Sequence, residues 1–299
     1  MVAPWTLGRI ILAETLHRRP PARVPEPAMV MDDVEHVADY ASAGDDAGTM
    51  TPTHLLHSAQ AAAIIKPGDR VLDLGCGPGA QLMQLASLCP EARFVGVDLS
   101  EPMLERARTR ARQAGLTNLH WFQADITALD RFGDASFDVI VSSMTLHHLP
   151  ETRDLRRCFV HARRVLKRGG RIYFADFARL RSAWAMRALA HMRAATQPPA
   201  FTEDYHNSLR AAFSTQQFHD TADASGLTDL ARARQYVTRP LGIMQIIQSQ
   251  APAELDPNLV HRLAERCRVL TNTARSDLDT LLALFRRGGL ETVLGGVRG

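Results

Sequence analysis

Between residues 70 and 176 short apolar runs alternate with stretches of helical spacing. Residues 71–74, 94–97, 119–122, 137–141 and 171–175 read as strands, being rich in Val, Ile, Leu and Phe. Between them, 79–88, about 101–114 and 151–167 repeat their apolar positions every three or four residues. Gly169-Gly170 is expected to end the last of these helices. Near-continuous apolar strands separated by helices predict a mostly parallel sheet covered on both faces.

The flanking segments carry a different pattern. Residues 1–30 look like an arm: Leu7, Ile10, Ile11 and Leu16 line one side of a short helix, and Pro20, Pro21, Pro25 and Pro27 make a linker. Residues 31–66 are helical but interrupted, with a helix expected at 53–65. From 177 to 212 the strand signal vanishes, and helices are expected at about 180–195 and 203–213. A helix at 214–225 and strand-like stretches at 227–234 and 239–248 complete the sheet, and two helices fill 252–288. The expected organisation is an N-terminal arm with helices (1–66), an α/β core (67–250) with a helical insertion at about 178–212, and a C-terminal helical appendage (251–299).

Composition narrows the class. The chain has 299 residues, 45% hydrophobic and 22% charged, which fits a globular protein and excludes a disordered or fibrous one. A net charge of +3 gives no basic footprint for nucleic acid. No apolar run reaches the ~20 residues of a membrane span, so a cytoplasmic protein without membrane contact is expected. The four cysteines, Cys76, Cys89, Cys158 and Cys267, form no CxxC pair and read as reduced thiols.

The chemistry concentrates in Asp73-Leu74-Gly75-Cys76-Gly77-Pro78-Gly79, a strand, a glycine loop, then a helix. Glycine lets the chain turn tightly and lie against a ligand. Dinucleotide loops use Gly-x-Gly-x-x-Gly to place a pyrophosphate on a helix N-terminus. Here Asp73 precedes the first glycine by two residues, and a carboxylate suits a cationic ligand better than a phosphate.

This motif resembles the first motif of the class I S-adenosylmethionine (SAM)-dependent methyltransferases, and the resemblance runs in register over about 70–176. It implies a doubly wound, seven-stranded, mostly parallel Rossmann-like sheet with SAM as cofactor. Asp73, Gly75, Cys76, Gly77 and Gly79 would then hold SAM. Asp98, ending Val95-Gly-Val-Asp98, would accept from both ribose hydroxyls, with Leu99 and Met103 beside it. Asp125, in Gln123-Ala124-Asp125-Ile126-Thr127, would accept from the adenine amino group, with Ala124 and Ile126 against the ring. Ser142 and Ser143 would close the site after the fourth strand.

On the acceptor side the resemblance marks fewer residues. His147 and His148, in Leu-His-His-Leu, are the base candidates, since an imidazole titrates near neutrality. Tyr40, Tyr205, His206 and Arg210 are candidates to meet the acceptor. His147, His148 and His206 lack ligand spacing, so no metal is expected. Ser142-Ser143-Met144-Thr145 replaces the Asn/Asp-Pro-Pro-Tyr/Phe of enzymes that methylate nucleobase amines. Cys89 and Cys158 fall away from the loop where a base-attacking thiol would stand. The arginines 106, 108, 110 and 112 spread around a helix as a solvated face. The expected activity is methyl transfer to a small-molecule acceptor in a biosynthetic pathway, with the helical tail offering a homodimer surface. A methyltransferase of tRNA or protein stays open, as does a SAM-binding sensor or scaffold without turnover.

Overall fold

All five strands expected between 70 and 176 form, and two more extend the sheet. In chain order they are β1 (Arg70–Leu74), β2 (Arg93–Asp98), β3 (Leu119–Gln123), β4 (Phe137–Ser143), β5 (Leu166–Phe177), β6 (Ala233–Val237) and β7 (Met244–Ser249). The sheet order is β3-β2-β1-β4-β5-β7-β6. The first five strands run parallel, and β7 lies antiparallel between β5 and β6. The protein is described by a computed structural model over residues 4–27, 50–195 and 197–297.

The helices are α1 (Pro4–Leu16), α2 (Thr51–Ala62), α3 (Ala80–Leu88), α4 (Glu101–Gln113), α5 (Thr152–Val165), α6 (Ala183–Ala190), α7 (Pro199–Ala211), α8 (Thr215–Ala224), α9 (Leu227–Ala231), α10 (Pro257–Arg268), α11 (Asn272–Arg287) and α12 (Val293–Val297). None of them is long and apolar enough to cross a membrane.

Alternate strand residues feed two cores, as a pleated sheet buried on both faces requires. Val71, Phe94, Val139 and Tyr173 pack with Leu55, Leu56, Leu82, Leu85 and Phe285 on one side. Leu72, Val95, Ile140 and Phe174 pack with Phe159, Phe218 and Leu227 on the other. The order reverses between β1 and β4, so the loops that follow these strands part and leave a crevice at their carboxyl ends.

Three boundaries differ from expectation. The helix before β5 ends at Val165, and Leu166 is already extended (φ −76°, ψ 131°) and opposite Phe137. Gly169 (φ +76°) and Gly170 therefore lie within β5, beside a register shift between Phe137 and Val139, and do not end the helix. Residues 227–231 are helix where strand was expected: Gly226 turns left-handed (φ +71°), and Leu227 and Ala231 bury against the α5–α8 side. Strand β7 begins only at Met244, because the Thr238 hydroxyl holds a turn by accepting from the Ile243 and Met244 N–H groups.

The arm docks onto the insertion. Ile10 is fully buried, whereas Leu16 faces solvent. Glu14 is buried and accepts from the N–H groups of Arg181 and Ser182, both at 2.8 Å, at the start of α6. Glu14→Ala leaves these donors unpaired and should lower unfolding free energy by about 1–3 kcal/mol in urea titration. An unchanged midpoint would mean that α1 does not depend on this carboxylate.

Candidate functional site

The turn after β1 is shaped by what cannot fit beside it. Gly75 (φ +73°) carries no Cβ, and one placed there would stand 2.0 Å from Thr145 Cγ2. Thr145 in turn donates to the Gly75 carbonyl at 2.9 Å. A Cβ on Gly79 would stand 2.6 Å from the Trp121 ring. Gly77 (φ +51°) would meet nothing within 4 Å, so its backbone is open to the cavity above it.

Asp98 ends β2 and braces this loop. Its two carboxylate oxygens accept from the N–H of Gly77 (2.8 Å) and of Ser100 (2.9 Å). Asp73 sits buried one strand away. Burial, and next the charge of Asp98, push its carboxyl up to about 7. No donor pairs with it among the described residues. Cys76 is also sequestered: burial first, then Asp98 and Asp73, push its thiol well up, so it is no thiolate.

The cavity over these loops measures about 1020 Å³. Gly75, Gly77, Asp98, Leu99, Met103, Asp125 and Ile126 line one end of it. Asp125 Oδ1 accepts from the Thr127 N–H at 2.7 Å, which fixes the turn after β3. Asp73, Cys76, Gly79, Ala124, Ser142 and Ser143 are not in the lining. Ser142 donates to the Leu74 carbonyl at 2.9 Å and Ser143 to Gln81, so both tie the β4 end to its neighbours.

Past β4 the chain makes a 3-10 turn, Leu146–His148, and both histidines line the cavity. His147 is almost fully buried. Its Nδ1 meets Asp176 Oδ1 at 2.6 Å, and its own N–H donates to Asp176 Oδ2 at 2.8 Å. Asp176, near the end of β5, also accepts from the Phe177 N–H at 2.7 Å. These bonds direct Nε2 of His147 away from the sheet. Burial, and next His147, hold His148 well below the usual imidazole range. No sequence motif marked Asp176; a lone Asp in an apolar strand was its only signal.

A second residue that motif reading misses is Arg23. Its guanidinium spans the carbonyls of Ala211 (2.5 Å), His147 (2.8 Å), Leu149 (2.6 Å) and Pro150, and lies 4.1 Å over the Phe213 ring. Three residues on, Glu26 reaches the cavity and accepts from the Ser208 hydroxyl at 2.9 Å.

Beyond the histidine turn the cavity has an apolar wall, with Arg193, Asp277 and Arg287 also in the lining. Leu189, Met192 and Phe201 from the insertion, Leu241 and Ile243, and Leu281 and Leu284 from α11 form this wall. Tyr205 belongs to this wall, 5.4 Å from the Phe177 ring, with its hydroxyl pushed up to about 12 by burial. His206 and Arg210 lie on other sides of α7 and do not line the cavity; His206 is 6.0 Å from His191. Tyr40 falls outside the described residues.

Comparison with known proteins accords with this geometry. A family model for a methyltransferase domain matches residues 71–170. A 27-O-demethylrifamycin SV methyltransferase of Amycolatopsis mediterranei is 38% identical over 114 residues, 38% of this chain and 40% of that one. A ubiquinone biosynthesis O-methyltransferase of Coxiella burnetii is 30% identical over 193 residues, 62% of this chain and 79% of that one. The match spans less than half the length of the Amycolatopsis relative. A SAM-dependent methyltransferase of Aquifex aeolicus shares the fold, with a TM-score of 0.52 at 17% identity, covering 74% of this chain and 100% of that one.

Two measurements test the cofactor end. Asp98→Ala removes a charged acceptor and should weaken SAM binding by at least about 1.5–3 kcal/mol in calorimetry; unchanged affinity would exclude Asp98 from the site. Asp73 is neutral below about 7 and ionised above it. A cationic ligand that pairs with it should bind more tightly as pH rises through that value. A flat affinity profile would separate Asp73 from the ligand's charge.

Proposed function

This chain belongs to the class I SAM-dependent methyltransferases, with SAM as its cofactor, and we propose that it moves the methyl group to a small-molecule acceptor in a biosynthetic pathway. The residues present suit SAM: an open glycine backbone at Gly77, an unpaired buried carboxylate at Asp73 for a cation, and Asp98 and Asp125 spaced along the strand ends for the adenosyl group. SAM supplies a methyl on a sulfonium, which is already a good leaving group. The protein's work is then to orient the acceptor and exclude water.

One observation carries the reading of the acceptor. The cavity runs without interruption from Gly75 and Asp98 into the apolar wall of Leu189, Phe201, Tyr205, Leu241 and Leu281. Ligand sites for small molecules are concave and mostly apolar, with a few placed polar groups. The volume of about 1020 Å³ reaches the top of the ~300–1,000 Å³ range for such sites, which leaves room for two molecules. The insertion and α11 both contribute to its lining. His147 and His148 are among the polar groups of the lining, and the acceptor's reacting atom would lie beside them.

The test is methyl transfer from SAM to a panel of small hydroxylated and amino compounds, beside tRNA and unfolded protein, read as S-adenosylhomocysteine formed. Turnover confined to small molecules is expected. Leu281→Trp should fill the apolar end, cutting turnover at least ~10-fold while SAM affinity stays the same. Turnover on tRNA or protein alone would overturn the proposal, as would SAM binding with no turnover on any acceptor.

A further inference from the structure

Glu26 comes from the linker after α1, and nothing in the methyl-transfer reading uses it. It faces His147 and His148 across the cavity. One carboxylate oxygen of Glu26 and one ring nitrogen of each histidine all lie within 4.8 Å of one another. No hydrogen bond joins any two of these three side chains. Two of them are instead held from behind: His147 Nδ1 by Asp176 at 2.6 Å, and Glu26 by the Ser208 hydroxyl at 2.9 Å. Arg23 fixes the main chain of the histidine turn through the carbonyls of His147 and Leu149.

We propose that Glu26, His147 and His148 form a binding site for a divalent transition-metal ion beside the cofactor pocket. Two imidazoles and one carboxylate with further positions open are the donor set of catalytic zinc and related ions. Magnesium and calcium prefer all-oxygen sites. His147 ligates through Nε2, because Asp176 occupies Nδ1; a carboxylate behind a metal-bound histidine is the usual support for such a ligand. Around an ion bonded at ~2.0–2.2 Å, ligand atoms stand ~3.4 Å apart, so the trio closes by shifts of about an ångström. The charges agree. Glu26 feels the charges of Asp204 and Arg23, and Arg23 those of Asp176 and Glu26, so carboxylates outnumber cations among these four.

The role of the ion rests on the proposed methyl transfer. It takes a hydroxyl of the acceptor, whose proton leaves to water. The oxygen then attacks the methyl carbon, the O–C bond forming as the C–S bond breaks, with that electron pair staying on sulfur. The acceptor class is therefore a hydroxyl compound.

The test reads the ion before any turnover. The full chain is stripped with a chelator and titrated with Co2+, followed by its visible ligand-field absorption, and with Zn2+ by calorimetry. One ion per chain is expected. E26Q and H148N should each weaken binding at least ~10-fold while SAM affinity stays at the wild-type value, which reports an intact fold. D176N should weaken it ~10–100-fold. Failure of Co2+ and Zn2+ to bind the wild-type chain would overturn the site, and so would binding untouched by both E26Q and H148N. Undiminished turnover after chelation would also overturn it and leave the methyltransferase reading standing. Metal binding without any turnover would do the reverse.

Discussion

The contact on which the site depends is the approach of two turns, at Gly75 after β1 and at Thr145 after β4. No side chain fits between them, and the Thr145 hydroxyl closes the gap by donating to the Gly75 carbonyl at 2.9 Å. These strands are neighbours in the sheet, but their loops leave in opposite directions. The approach therefore places the glycine loop and the histidine turn on the two sides of one crevice. Asp98 keeps the glycine side in shape by holding the Gly77 N–H, and Asp176 keeps the histidine side in shape by holding both the ring and the main chain of His147. The two sides of the crevice thus share one frame set by backbone geometry.

That frame explains what could be read from the sequence. Asp73, Gly75, Gly77, Asp98 and Asp125 all belong to loops at the ends of consecutive parallel strands, so their spatial order follows their chain order. Strand patterns were legible for the same reason: residues such as Val71 and Leu72 bury on opposite faces and leave a continuous apolar run. The boundaries that failed were decided by side-chain partners and not by the local apolar pattern. Leu166 extends because Phe137 stands opposite it, and 227–231 coil because α5 and α8 offer an apolar face.

The acceptor side was much less legible. Arg23, Glu26 and Asp176 come from a proline-rich linker and the end of a strand, where local spacing has no repeat to reveal them. Their partners lie more than a hundred residues away in the case of Arg23 and His147, or of Glu26 and Ser208. His206 and Arg210 show the opposite failure. They neighbour Tyr205 in sequence, but a helix turns successive residues to different sides, and only Tyr205 meets the cavity.

The span of Arg23 has a consequence for how a molecule gets in. One guanidinium grips both the end of α7, at Ala211, and the turn that carries His147. Lifting α7 away would break the bond to Ala211 or pull the histidine turn along with it. The insertion also meets α11, where both terminal nitrogens of Arg193 donate to the Asp277 carboxylate, with 39% and 24% of their side chains exposed. Opening between the insertion and α11 would part this pair while leaving the bonds of Arg23 to the histidine turn in place.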